Sequence, residues 1–314
     1  MTSISPIVAV ITACTTLCMS VLTVNEPAHR IQGDDRAPSQ EIGVTHLTRA
    51  ARIARQHGVD SAFVASLLRT PQTAFNDRFV RINVTNYAQK TDYSHNHNEL
   101  GVRKVREFVG KHDSILQLVD SLYGVPPEVI GSLLWVESKH GTILGKYHVA
   151  SVYLSVLLSC EPEFVEQNAA SVMSSMGLDS SKLDSVRYVV ERKAVKKVAW
   201  AADQLKALYE IDKRGTLNAF TLHGSWAGAF GMTQFLPSSY LSWAVDGNKN
   251  GVIDLNDLDD AIFSVANYLK TNGWGQVTTQ QRAAVFHYNN STAYVDAVLT
   301  LAQRSKTQRG VPPR

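Results

Sequence analysis

A carboxylic acid fixed on an otherwise apolar helix face is the first residue in this chain whose type and position suggest chemistry. Val129 to Val136 is apolar apart from Gly131 and Ser132, and Glu137 closes the run. It lies at i+7 from Ile130, i+4 from Leu133 and i+3 from Leu134, so helical geometry lays its carboxyl over an apolar stripe. Burying an unpaired carboxylate is costly, and a raised pKa that keeps it protonated relieves the cost. Such a group is suited to give a proton to a leaving oxygen. The competing reading is a Glu at a helix end that reaches solvent or pairs with Lys139 or Lys146.

Three further constellations stand out. Gly224 to Tyr240 is a glycine- and alanine-rich stretch in which Ser225 and Gln234 offer the neutral donors and acceptors that sugars require. By composition alone it is equally a tight turn before a helix near Pro237. Asp246 to Asp257 follows the twelve-residue EF-hand loop. Oxygen donors stand at Asp246, Asn248, Asn250, Asp254 and Asp257, with Gly251 at the sharp turn and the Val252 carbonyl at position seven. The expected ion is Ca²⁺ in a structural role, with Na⁺ as an alternative because Asp257 replaces the usual Glu. Lastly, His287 to Tyr294 carries Tyr288, Asn289 and Tyr294, side chains that stack on sugars or orient an acetamido group; the turn also reads as an ordinary helix cap at Ser291.

The elements that must hold these residues are mainly helical. Leu47, Ala50, Ala51 and Ala54 recur at helical spacing, Asp60 is placed to cap 61–68, and 102–122 reads as one helix stopped by Gly124. A long helix is expected over 182–211, others over 257–272 and 291–303, and a strand around 79–85. The fold class is therefore mainly α.

The chain has 314 residues, 44% apolar and 19% charged, with net charge +3. Those values exclude disorder, and the absence of a Lys/Arg block excludes a dedicated nucleic-acid protein. The net value hides a split: 246–260 carries −4 and the remainder +7. Residues 1–25 contain no charged side chain and read as an export signal, a lipoprotein leader or a membrane anchor, although the usual basic start is missing. Cys14 follows Ile11-Thr12-Ala13 as in a lipobox. Residues 26–44 read as a linker and 304–314 as a disordered basic tail. Three cysteines build neither a disulfide framework nor a Cys-rich zinc site.

The motifs Tyr123-Gly124-Val125-Pro126-Pro127-Glu128 leading to Val136-Glu137, Gly228-Ala229-Phe230-Gly231 through Gln234 to Tyr240, the metal loop, Ser264-Val265-Ala266-Asn267-Tyr268 and Tyr288-Asn289 stand in one order. In that order and spacing the chain resembles the membrane-bound lytic murein transglycosylase B family, glycoside hydrolase family 103, over residues 45 to 300. The resemblance implies a goose-lysozyme-like catalytic core over 45–303, an additional helical region and one EF-hand loop. It implies cleavage of the bond between N-acetylmuramic acid and N-acetylglucosamine in peptidoglycan, with Glu137 as general acid and then base and a 1,6-anhydromuramoyl product. It also implies glycan-binding or acid-positioning roles for Ser225, Gln234, Tyr268, Tyr288, Asn289 and Tyr294. No organic cofactor and no nucleic acid are expected; the chain is expected to be a monomer, periplasmic and anchored to the outer membrane, or secreted. Alternatives are a lysozyme-like hydrolase and a non-catalytic, Ca²⁺-stabilised wall-binding protein. The chain departs from the family where an Arg pair is common and Cys160-Glu161-Pro162-Glu163-Phe164 stands instead, and where Ser138 replaces Thr.

Overall fold

The computed structural model describes residues 40–86 and 92–306, with side chains from Gly43 onward. The leader with Cys14, most of the expected linker and most of the expected tail lie outside the described residues. What is described is mainly α, as the periodicity requires: α1 (Gln40–Gln56), α2 (Ser61–Arg69), α3 (Asp77–Thr85), α4 (Glu99–Lys111), α5 (Asp113–Tyr123), α6 (Pro127–Ser138) and α7 (Val149–Val156) come first. Then follow α8 (Pro162–Met176), α9 (Leu183–Lys213), α10 (Pro237–Trp243), α11 (Leu258–Thr271), α12 (Thr278–Tyr288) and α13 (Thr292–Ser305). Two short strands, β1 (Tyr147–His148) and β2 (His223–Gly224), pair antiparallel with Tyr147 opposite Gly224. Among the described residues no helix is long and apolar enough to cross a membrane.

Local chemistry explains most boundaries. The Asp60 carboxylate accepts from Phe63 N at the start of α2, and Ser291 accepts from Tyr294 N at the start of α13. Gly124, at φ 67°, ends α5 as a left-handed cap. Four expectations need correction. The span 102–122 is two helices, because His112 leaves helical geometry at φ −115° and starts α5 anew. The expected strand at 79–85 is helical: Asn76 caps α3, and Phe79, Val80, Asn83 and Val84 bury one face at helical spacing. Helix α1 begins at Gln40, inside the expected linker, and α13 runs to Ser305, into the expected tail.

Two large apolar clusters carry the molecule. One gathers Val105 and Phe108 of α4, Leu116 of α5, Ile130, Leu133 and Leu134 of α6, Val265 and Leu269 of α11, and Val298 and Leu301 of α13. The other gathers α1, α2, α7 and α9 around Ala54, Leu67, Val152, Leu154, Leu205 and Leu208. The segment after β2 contributes Phe230 and Phe235 to the first cluster and Ala219 lies in the second, so 219–235 bridges the two.

Within that bridge Gly228 has φ +76°, and a Cβ there would lie 2.4 Å from the Tyr153 hydroxyl, which donates to the Gly228 carbonyl at 2.9 Å. Gly228→Ala therefore combines a disfavoured backbone with a steric clash and should cost about 2 kcal/mol or more. A lowered urea midpoint checks this; a midpoint equal to wild type would show that the turn is not constrained by Tyr153.

Candidate active site

Helix α6 is apolar nearly all round because it crosses the centre of the first cluster, and it is buried from Val129 to Ser138 with only Trp135 partly exposed. Pro127 opens the helix where no N–H is needed. Lys139, in the left-handed region at φ 51°, closes it, with its N–H accepted by the Leu134 and Trp135 carbonyls. Glu137 thus falls in the last turn, where the unpaired carbonyls of the helix end oppose negative charge. It is 4% exposed. Burial pushes its pKa up to about 8, against smaller lowering effects from the Tyr294 hydrogen bond and the Lys139 charge. The residue is accordingly protonated at neutral pH, as its apolar setting in the sequence implies.

The Tyr294 hydroxyl donates to Glu137 Oε1 at 2.5 Å. Tyr294 is itself fully buried on α13, with the Tyr93 ring edge-on at 5.5 Å and 82°. Oε2 has no hydrogen-bond partner among the described residues and is not one of the sealed, unpartnered atoms. With Oε1 engaged as an acceptor, the acid proton belongs on Oε2, the oxygen left to meet a ligand. Among the described residues no ion pair joins Glu137 to Lys139 or Lys146. Lys139 Nζ instead donates to Asn96 Oδ1 at 2.5 Å and to the Trp135 carbonyl at 3.1 Å, and desolvation lowers the pKa of this half-buried ammonium to about 8.

The glycine-rich stretch packs against the end of α6. Ser138 Oγ donates to the Met232 carbonyl at 2.8 Å and accepts from Gly141 N at 3.0 Å. Phe230 and Phe235 exchange backbone hydrogen bonds of 2.9 and 3.1 Å, closing a tight loop in which Gln234 has φ 51°. Gln234 is buried; its Nε2 donates to the Gly231 carbonyl at 2.8 Å, while its Oε1 has no partner. Ser225, also buried, accepts from Ala227 N and Ala229 N at 3.3 and 3.2 Å and so shapes the turn.

The expected aromatic residues divide by what their hydroxyls do. Tyr294 alone reaches the acid. Tyr288 donates to the Thr233 carbonyl at 2.6 Å and pins the loop from below. Tyr268 is fully buried, 4.6 Å from the Tyr288 ring, and donates to the His287 carbonyl at 2.8 Å. Its place is a packed layer behind the loop. Asn289 ends α12 and is buried with its Nδ2 unpartnered. Tyr93 and Lys139 join the site without a sequence signal for it: an isolated Tyr in 92–98 belongs to no periodic pattern, and a Lys two residues after an acid reads only as its ion-pair partner.

The metal loop is tied to the same block by Met232 N, which donates to the Leu255 carbonyl at 2.8 Å. Asp246 accepts from Asn250 N and Gly251 N, Asn248 from Asn250 N, Asn250 from Val252 N and Asp254 from Asn256 N. Asp257 caps α11 through its Oδ1, which accepts from Asp259 N and Asp260 N. Asp260, fully buried, accepts from Gly247 N and Asp254 N, both at 2.7 Å, beneath the loop. Among the described residues no three His, Cys, Asp or Glu side chains stand together as a metal-holding group. The oxygen-only donor set suits a hard cation, but its carboxylates are turned to backbone N–H groups.

A family model described as transglycosylase SLT domain matches residues 44–283. The chain belongs to this transglycosylase family. Membrane-bound lytic murein transglycosylase B of Escherichia coli K12 is 30% identical over 167 residues, 53% of this chain and 37% of that protein. The chain thus spans little more than a third of the curated relative it matches. The fold is shared with the Escherichia coli lytic transglycosylase Slt35 in complex with bulgecin A, at TM-score 0.59 and 21% identity over 83% of this chain and 92% of that one. A structure of Slt35 in complex with calcium gives TM-score 0.58 and 22% identity over the same shares. SltB3 of Pseudomonas aeruginosa, in complex with NAG-anhNAM-pentapeptide, gives TM-score 0.59 and 20% identity over 83% of this chain and 78% of that one. The family and the lytic transglycosylase fold expected from the motifs are both borne out.

Because the native state holds the Glu137 proton more tightly than the unfolded chain, stability falls as pH rises from about 4.5 to about 8. Glu137→Gln removes that loss. The variant should match wild type below pH 4 and exceed it by about 4 kcal/mol at pH 8 in urea unfolding. A constant difference across this range would contradict a protonated Glu137.

Proposed function

We propose that this protein is a peptidoglycan lytic transglycosylase, cleaving the MurNAc-β-1,4-GlcNAc bond and leaving 1,6-anhydro-MurNAc ends. The observation that carries this reading is the buried, protonated carboxyl of Glu137, held through Oε1 by Tyr294 and open at Oε2. Family membership and the relatives that bear the name lytic transglycosylase support it. In this reading Glu137 Oε2 gives its proton to the bridging oxygen as the bond to C1 breaks. The substrate's acetamido group steadies the oxocarbenium-like centre. The Glu137 carboxylate, stabilised by Tyr294 and the nearby Lys139 charge, then takes the proton of the muramoyl C6 hydroxyl as that oxygen closes on C1. Protons and bonds balance without water, and one carboxyl suffices, unlike the pair that most glycosidases use.

In this reading Gln234 and Asn289, whose Oε1 and Nδ2 are sealed and unpartnered in the ligand-free chain, meet the glycan after a local shift that opens them. Ser225 and Tyr288 act through the loop they shape. For the metal, the calcium complex of Slt35 supports Ca²⁺ as the ion; the loop pattern assigns it to Asp246, Asn248, Asn250, Val252, Asp254 and Asp257, whose carboxylates would turn from their N–H partners to hold it. The name of the Escherichia coli relative supports a membrane-bound protein, a peptidoglycan substrate accords with a periplasmic one, and Cys14 is the candidate lipidation site.

Digestion of isolated sacculi followed by mass spectrometry should give anhydromuropeptides with the wild type and none with Glu137→Gln. Reducing muramic ends would show hydrolysis instead, and the absence of any product from the wild type would favour a binding protein. Chelation by EDTA should lower the melting temperature, with recovery on adding Ca²⁺; an unchanged melting temperature would remove the stabilising ion from the account.

A further inference from the structure

Lys139 stands two residues after Glu137, and the groups its ammonium meets among the described residues are all neutral. Nζ donates to Asn96 Oδ1 at 2.5 Å and to the Trp135 carbonyl at 3.1 Å, and it lies 4.9 Å from the centre of the Trp135 ring. A charged donor gains more from a carboxylate than from a neutral oxygen. Glu137 is near enough for each of the two charges to act on the other. A direct pair would nevertheless defeat an acid, because a cation in contact draws a carboxyl into its ionised form.

Asn96 is built into the place where it prevents such a pair. It ends a single 3₁₀ turn (Ser94–Asn96) and is 3% exposed. Its Nδ2 donates to the Tyr93 carbonyl at 3.3 Å, which leaves Oδ1 to face the ammonium. The backbone around it is held from two sides. A Cβ at Gly101 would collide with the Asn96 carbonyl, so the turn rests directly on α4, and Asn98 caps that helix through Gly101 N at 2.9 Å. Arg304 of α13 donates to the His97 carbonyl at 2.5 Å. Lys139 is fixed in turn by its left-handed backbone and by His140, at φ 54°, whose ring stacks on Phe108 at 4.1 Å and whose Nε2 donates to the Gly131 carbonyl at 2.8 Å. Of the other titratable groups around this turn, Tyr294 of α13 reaches Glu137 itself. Lys104 of α4 and His112 at the start of α5 act on His140, which burial keeps neutral, and His95 and His97 act on Asp92.

Given the acid and base role proposed for Glu137, we propose that Asn96 is a positioning residue for the reaction, holding the Lys139 ammonium beside the Glu137 carboxyl but out of contact with it. In the resting state the charge then stays too far off to displace the acid proton. Once the proton has gone to the leaving oxygen, the same charge still steadies the carboxylate that must take the next one. Without the Asn96 acceptor the ammonium is released to swing toward the carboxyl, and the acid is lost to an ion pair.

The test is the pH profile of kcat for release of anhydro ends from sacculi by the full chain, with Asn96→Ala, Lys139→Met and the double variant. In Asn96→Ala the alkaline limb should move down by about one pH unit, a tenfold loss of proton affinity at Glu137. In the Lys139→Met background the same change at Asn96 should leave the limb where Lys139→Met alone puts it. A rate lowered equally at every pH by Asn96→Ala, with its limb in place, overturns the proposal, and so does a limb shift that persists without Lys139. Asn96→Asp, which keeps the acceptor, carries the test if the alanine variant does not fold. Its limb should stand at or above the wild-type position, and a lowered limb overturns the proposal. The Glu137 carboxyl stretch in infrared difference spectra of the same variants reads its titration without turnover. A wild type that releases no anhydro ends therefore fails the catalytic reading, while the spectra still decide whether Asn96 keeps Lys139 off the carboxyl.

Discussion

The structure is organised around one costly placement, a carboxyl held out of water at the end of an apolar helix. Everything that makes α6 a good core helix makes Glu137 a poor anion: among the described residues no opposite charge pairs with it directly, the helix end opposes it, and water is nearly excluded. The Tyr294 hydroxyl supplies the one hydrogen bond that the ionised form can keep. The same bond orients the carboxyl, assigning Oε1 to the protein and Oε2 to a ligand. The acid and base duties proposed for Glu137 both rest on this arrangement. Burial keeps the proton on in the resting state, and Tyr294 with Lys139 limits the cost once it has left.

Holding that geometry requires agreement between distant segments. Glu137 and Tyr294 are 157 positions apart, and their meeting depends on α6 and α13 sharing one apolar cluster. The bridging segment 219–235 then joins this cluster to the second one, through Tyr153 on Gly228 from one side and Tyr288 on Thr233 from the other. Met232 carries the coupling further, to Ser138 beside the acid and to Leu255 in the metal loop. Stability of the loop and placement of the acid are therefore parts of one packing problem.

The acid itself is legible in the sequence because its signal is local: a carboxyl at i+4 from Leu133, closing an apolar run, sits where a charge is costly and a proton relieves the cost. Caps at Asp60 and Ser291 and the stop at Gly124 are legible for the same reason. Longer-range features are not. At 79–85 the alternation of Val80, Ile82 and Val84 suggests a strand, but Asn76 as cap and burial of Phe79, Val80, Asn83 and Val84 decide for a helix. The break at His112 is not marked by proline, and Gly110 just before it lies inside α4, while the apolar pattern runs through the break. Roles of the tyrosines depend on which carbonyl lies opposite, a long-range fact that separates Tyr294 on the acid from Tyr268 in the packed layer. In the metal loop, Asp257 satisfies the pattern and, as the residue before α11, also caps that helix through Oδ1, a second role that the loop pattern alone does not announce.

The protonation state of Glu137 in the folded protein tests the central claim most directly. Isotope-edited infrared difference spectra of wild type against Glu137→Gln, followed across pH, isolate its carboxyl stretch. A protonated carbonyl band that persists at pH 7 and titrates near pH 8 is the result expected from its burial. A carboxylate band already complete at pH 6 would contradict the account, because Glu137 would then have no proton to give.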